Sequence, residues 1–195
     1  MKVLIVVDMQ KDFVDGALGT PEAQAIVPLV AETIEQFATS DTVILFTRDT
    51  HQSNYMNTLE GNYLPVPHCI ENTDGWEINE EVWEVFVKNQ WKFHGFNYLP
   101  TMCVNHVIDK PSFGSIDLQN ILYHLNEAYY PLAKVDEIIL MGLCTGICVM
   151  SNAILCKATL PEVPVSVVAD CCACVTPESH KTALEAMKLC QINII

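Results

Sequence analysis

Short runs rich in Val, Ile and Leu recur along the chain, each separated from the next by enough residues for a helix. They are KVLIVVD (2–8), DTVILFTRD (41–49), VNHVID (104–109), DEIILM (136–141), VPVSVVAD (163–170) and the terminal QINII. Near-continuous apolar runs, without apolar–polar alternation, mark strands covered on both faces. Segments of helical length fall between them, at about 21–38, 78–88, 116–128, 146–158 and 177–190. The last carries its own start signal, Thr176 as N-cap and Pro177 at the first helical position. Repeated β-α units of this kind fold into an α/β, doubly wound, mostly parallel sheet flanked by helices.

The 195 residues make one domain, 1–195, with no repeat, low-complexity tract or linker. A formal charge of −14 argues against nucleic acid and against an anionic membrane, both of which need a basic face. The N-terminal apolar run stops at Asp8, too short for a signal segment, and no stretch is long enough to span a bilayer. The nine cysteines are then expected as free thiols in a reducing, cytoplasmic compartment, and their odd number disfavours a complete disulfide framework.

In an open parallel sheet, sites form at the carboxyl ends of the strands. Those ends carry Asp8, Asp49 with His51, Lys110, and the stretch GLCTGICVM holding Cys144 and Cys148. An acid, a lysine and a thiol converging on one edge have the makings of a nucleophilic site. Asp8 would take the Cys148 proton and Lys110 would stabilise the resulting anion. The bland alternative makes the acids caps, Lys110 a surface charge and the thiols small core residues. Asp49 and His51, two apart in extended chain, face the same way. Glu60 and His68 follow in the long irregular segment 50–77, and two imidazoles with carboxylates suit Zn²⁺, Fe²⁺ or Mn²⁺. The cluster DCCACV (170–175) lacks the spacing of a zinc ribbon, so Cys171, Cys172 and Cys174 are expected to fill small sites near a strand end.

Six segments in order resemble the isochorismatase-like cysteine hydrolase superfamily, and its nicotinamidases and pyrazinamidases in particular. They are VVDMQKDFVDGAL (6–18), FTRDTH (46–51), PVPHCIENTDGWE (65–77), DKPSFGSIDL (109–118), MGLCTGICV (141–149) and VADCCACVTPESHKTAL (168–184). The resemblance implies a six-stranded sheet in a Rossmann-type three-layer sandwich and a catalytic triad of Asp8, Lys110 and Cys148. It also implies a cis peptide between Leu143 and Cys144, with the backbone N–H groups of Cys144 and Cys148 as the oxyanion hole. Amide hydrolysis would run through a Cys148 thioester, converting nicotinamide to nicotinate and ammonia in NAD salvage. One divalent metal ion, zinc first with iron or manganese as alternatives, would sit on Asp49, His51, His68 and Glu60, the last directly or through water. Phe13, Leu18 and Phe113 would wall the substrate ring. The partner is then a small amide, and a homo-oligomer is the expected assembly.

Two features depart from that pattern. Gly146 stands where many nicotinamidases carry Asp, and the segment 78–104 is long, with Trp83, Trp91 and His94 unassigned. Three other readings therefore stay in view. One is a related hydrolase for another small amide or ureido compound; the second is a non-catalytic binding protein on the same fold; the third is a zinc-stabilised structural protein.

Overall fold

The structure, a computed structural model, describes residues 1–39, 41–90, 106–128 and 134–195. Trp91, His94 and the first two residues of the 104–109 run lie outside them. Six strands form one sheet: β1 (Lys2–Val7), β2 (Thr42–Asp49), β3 (Val107–Lys110), β4 (Glu137–Leu143), β5 (Val165–Ala173) and β6 (Asn193–Ile194). Their order is β3-β2-β1-β4-β5-β6, and every pairing is parallel, where the sequence pattern asked only for mostly parallel. β1 and β4, the two central strands, are almost wholly buried, which is why their sequences read as unbroken apolar runs.

The helices follow the expected alternation. α1 (Lys11–Val14) is short; α2 (Pro21–Phe37), α4 (Glu80–Asn89), α5 (Ile116–Ala128), α6 (Met150–Thr159) and α7 (Pro177–Leu189) are the crossovers. α2 packs with α4, while α6 packs with α5 and α7, giving a helical layer on each face of the sheet. Two starts are capped as their sequences suggest. The Thr20 side chain accepts from Ala23 N–H ahead of Pro21, and Thr176 forms a capping box with Ser179 ahead of Pro177. The expected helix at 146 begins as one π-turn, Thr145–Val149, before α6 continues it.

Strand order reverses between β1 and β4, where the chain first winds one way and later the other. The crevice at such a reversal is where doubly wound folds place their sites. β4 can approach β1 there because residue 142 is glycine. Its φ is +122°, and a Cβ would lie 2.1 Å from the Val7 carbonyl oxygen. Among the described residues no helix is long and apolar enough to cross a membrane.

Candidate active site

The strand ends meet as the pattern implied. Asp8 follows β1 at φ 48°, Asp49 ends β2, Lys110 ends β3, and Cys148 sits in the π-turn after β4. Asp49 and Lys110 are register partners across β2 and β3, so their side chains stand side by side. Lys110 Nζ lies 2.7 Å from Asp8 Oδ2, 3.2 Å from Asp49 Oδ1 and 3.5 Å from Cys148 Sγ. All four side chains are buried, and Thr47 donates to Asp8 Oδ1 at 2.7 Å. The Leu143–Cys144 peptide is cis.

Burial sets the protonation states. It raises the Asp8 carboxyl, with Asp49 adding to the rise and Lys110 and Thr47 opposing it. At Asp49 burial also pushes upward, but His51 and Lys110 outweigh it and hold that carboxyl below its ordinary value. Lys110 is pushed down by burial, yet Asp8, Cys148 and Asp49 together raise it, so it stays charged. The Cys148 thiol is driven well up by burial and by Asp8, with Lys110 unable to reverse the shift. A thiolate stabilised at rest by its lysine is therefore not what this geometry holds. Cys148 rests as a thiol beside a carboxylate that can receive its proton.

The metal candidates also converge. Asp49, His51, Glu60 and His68 each offer a ligand atom, and these atoms lie within 4.8 Å of one another. His51 Nε2 is 3.0 Å from Asp49 Oδ2, and His68 Nε2 is 3.7 Å from the same oxygen. The segment 50–77, expected to be irregular, owes this to local order. The short helix α3 (Leu59–Tyr63), started by the Thr58 hydroxyl accepting from Gly61 N–H, carries Glu60. His51 pairs in parallel with Ile70, which brings His68 alongside it. Tyr55 packs on both imidazoles, with ring centroids 4.7 Å and 5.0 Å away. His68 Nδ1 bonds the Val66 carbonyl at 2.8 Å, so Nε2 is the nitrogen presented to the cluster. Among the described residues, only Asp8 Oδ2 and His51 Nε2 are buried side-chain polar atoms without a hydrogen bond. An orphaned imidazole nitrogen facing two carboxylates and a second imidazole fits a divalent cation such as Zn²⁺.

A cavity of about 220 Å³ opens between the two clusters. Asp49, Glu60 and His68 line it, as do Cys144 and Cys148. Phe13, Leu18 and Phe113 form apolar parts of its wall. Phe13 also packs on the His68 ring at 5.4 Å. Cys171 and Cys172 are buried fillers, whereas Cys174 reaches the cavity wall as well. Burial pushes the Cys144 thiol up to about 12, with Cys174 adding to the rise, so its sulfur is inert near neutrality.

Sequence reasoning overlooked two supports. Gln10 is fully buried; its Nε2 donates to the carbonyls of Asp49 and Trp76, and its Oε1 accepts from Asp49 N–H at 2.7 Å. Asp12 Oδ2 accepts from Cys69 N–H at 2.7 Å, anchoring the residue after His68. Both belong to the DMQKD stretch after β1, whose polar residues carry no sequence mark that tells a buried support from a solvated side chain.

This fold and site define a family. The isochorismatase domain model matches residues 2–195, and the chain belongs to that family. It is an amidohydrolase within it. The nicotinamidase of Saccharomyces cerevisiae is 24% identical over 182 residues, covering 79% of this chain and 80% of that protein. The pyrazinamidase/nicotinamidase of Streptococcus mutans superposes with a TM-score of 0.78 at 26% identity over 100% of both chains. The pyrazinamidase of Pyrococcus horikoshii, solved in complex with zinc, gives a TM-score of 0.74 at 30% identity over 100% of this chain and 98% of that one.

Proposed function

We propose that the protein is a metal-dependent nicotinamidase that hydrolyses nicotinamide to nicotinate and ammonia. The observation that carries this reading is one cavity lined both by Cys148, with Lys110 and Asp8 behind its sulfur, and by Asp49, Glu60 and His68 of the metal-ligand cluster. The similarity to nicotinamidases and pyrazinamidases, one of them crystallised with zinc, supports it. Asp8 and Lys110 are paired at rest, and Cys148 is a neutral thiol. Asp8 accepts the Sγ proton as Sγ attacks the carboxamide carbon. The developing oxyanion is received by the backbone N–H groups of Cys144 and Cys148, one such donor contributing about 3 kcal/mol. The C–N bond breaks, ammonia leaves with the proton from Asp8, and a thioester remains on Cys148. Asp8 then takes a proton from water, whose oxygen attacks the thioester, and the proton returns to Sγ as nicotinate departs. Lys110 opposes the rise that burial imposes on the Asp8 carboxyl and so favours its anion between these transfers.

Phe13, Leu18 and Phe113 exclude water and flank the ring. Asp49, His51 and His68, with Glu60, would hold a divalent ion, zinc first, that supplies a Lewis-acid hold on the ring nitrogen. The reaction belongs to NAD salvage in the cytoplasm, and the assembly is a homo-oligomer. The deciding experiment measures ammonia released from nicotinamide by purified protein, before and after chelation and with Cys148→Ala. The expected result is robust release, lost by more than about 10³-fold in the variant and sharply reduced by chelation. Silence on nicotinamide with turnover of another small amide would transfer the site to a related hydrolase.

A further inference from the structure

The aromatic wall of the cavity stands on a segment without helix or strand. Residues 111–114, between β3 and α5, form successive bends, and Phe113 is half exposed among them. A ring on such a segment keeps a fixed distance from the nucleophile only if something outside the segment holds its backbone. Asn152 does so. It lies on α6 one turn beyond Cys148, and its side chain is fully buried. Its Nδ2 donates to the Cys148 carbonyl at 2.8 Å and to the Phe113 carbonyl at 3.2 Å. Its Oδ1 accepts from Ser115 N–H at 3.0 Å. Ser115 in turn opens α5, where its hydroxyl accepts from Leu118 N–H at 3.1 Å. Gly114 completes the contact, since a Cβ there would sit 2.7 Å from Leu155 Cδ1 on α6.

We infer that Asn152 is a positioning residue that fixes the Phe113 ring wall at its working distance from Cys148. One amide binds the backbone of the wall, the start of the next helix and the backbone of the nucleophile. Both of its donors and its acceptor are used, so no smaller side chain can make all three bonds. The effect is specific to ring placement: the Cys148 side chain keeps its own partners, Asp8 and Lys110, which Asn152 does not touch.

The inference rests on the proposed hydrolysis at Cys148, and its test separates the two. In Asn152→Ala, KM for nicotinamide should rise about tenfold with a smaller fall in kcat. Phe113→Ala should raise KM similarly, and the double variant should be worse than either single by less than about twofold, because both changes remove one wall. A substrate-free arm compares labelling of Cys148 by phenacyl bromide, an aromatic haloketone, with labelling by iodoacetamide, mapped by mass spectrometry. Asn152→Ala should lower that ratio several-fold while iodoacetamide labelling holds within about twofold. Should the alanine variant fail to fold, the same readouts apply to Asn152→Asp, which keeps the volume and the Oδ1 acceptor but loses both donors. Additive KM effects, an unchanged labelling ratio, or a collapse of iodoacetamide labelling would each overturn the inference. A wild type silent on nicotinamide would defeat the proposed function alone, leaving the labelling ratio to judge Asn152.

Discussion

The two halves of the sheet bring opposite chemistries to the crevice. The β3-β2-β1 side brings buried charge: Asp8, Asp49 and Lys110 at its strand ends, with His51, Glu60 and His68 behind them. The β4-β5 side brings Cys144, Cys148 and Cys174 with apolar neighbours, and burial raises the first two thiols. The nucleophile thus belongs to the neutral side and its proton acceptor to the charged side. The difference teaches that reactivity here is not a property of the cysteine alone. It arises across the β1–β4 seam, where Gly142 lets the two halves close on each other.

Breaking the charged side should have the largest effect. Lys110→Met leaves two buried carboxylates without their cation, and losing one partner of a buried pair costs about 3–5 kcal/mol. Denaturant unfolding should show that loss, and ammonia release should fall by at least about 10²-fold. The next test concerns the thiol itself. Burial first, then Asp8, raises Cys148 against the pull of Lys110, so its thiolate fraction in the free enzyme is small at neutral pH. Iodoacetamide labelling of Cys148 should climb only above the free-thiol value of about 8.5. A midpoint below that value would mean that the charged side dominates the nucleophile at rest.

Gly146→Asp would carry charge onto the neutral side. A Cβ there would lie 3.2 Å from Ala183 Cβ and 3.5 Å from Cys174 Sγ, so a side chain at this position is seated only if α7 gives by a few tenths of an ångström. Overpacking of this kind costs about 1–3 kcal/mol, to be read as a lower denaturation midpoint. The smallest expected effect concerns His180, whose Nδ1 lies 2.8 Å from Thr145 Oγ1 in the π-turn. Burial holds its pKa below the ordinary 6.5, so the folded state resists its protonation. Stability should therefore fall as pH drops below 6.5, and the Tm of His180→Gln should depend less on pH across that window than that of the wild type. Equal slopes would dismiss the contact.

Much of this was legible before folding. The runs at β1, β2 and β4 announced buried strands because parallel strands covered on both faces must be apolar throughout. Asp8, Asp49 and Lys110 at the ends of β1, β2 and β3 announced a site because a charge at such an end is costly unless it is used or paired. The Asp49–His51 pair was readable from the two-residue period of extended chain, and Glu60 and His68 from their place in the same segment. Gln10 and Asn152 were not readable, because a buried amide differs from a surface one only in its partners. Those partners lie at Asp49 and Trp76 for Gln10, and at Phe113, Ser115 and Cys148 for Asn152.

By itself, the sequence determined the layered α/β architecture, the strand ends that carry chemistry and the family to which the chain belongs. These follow from local periodicity and from residue types at fixed spacing. Only the tertiary structure decided that Cys148 rests as a thiol and that Cys174 joins the cavity wall. It also decided that 50–77 folds a second histidine onto the first and that Gly146 packs closely against Ala183 of α7. Each depends on which atoms meet across the sheet and how much water is excluded there, and burial is a property of the assembled core that no stretch of sequence holds alone.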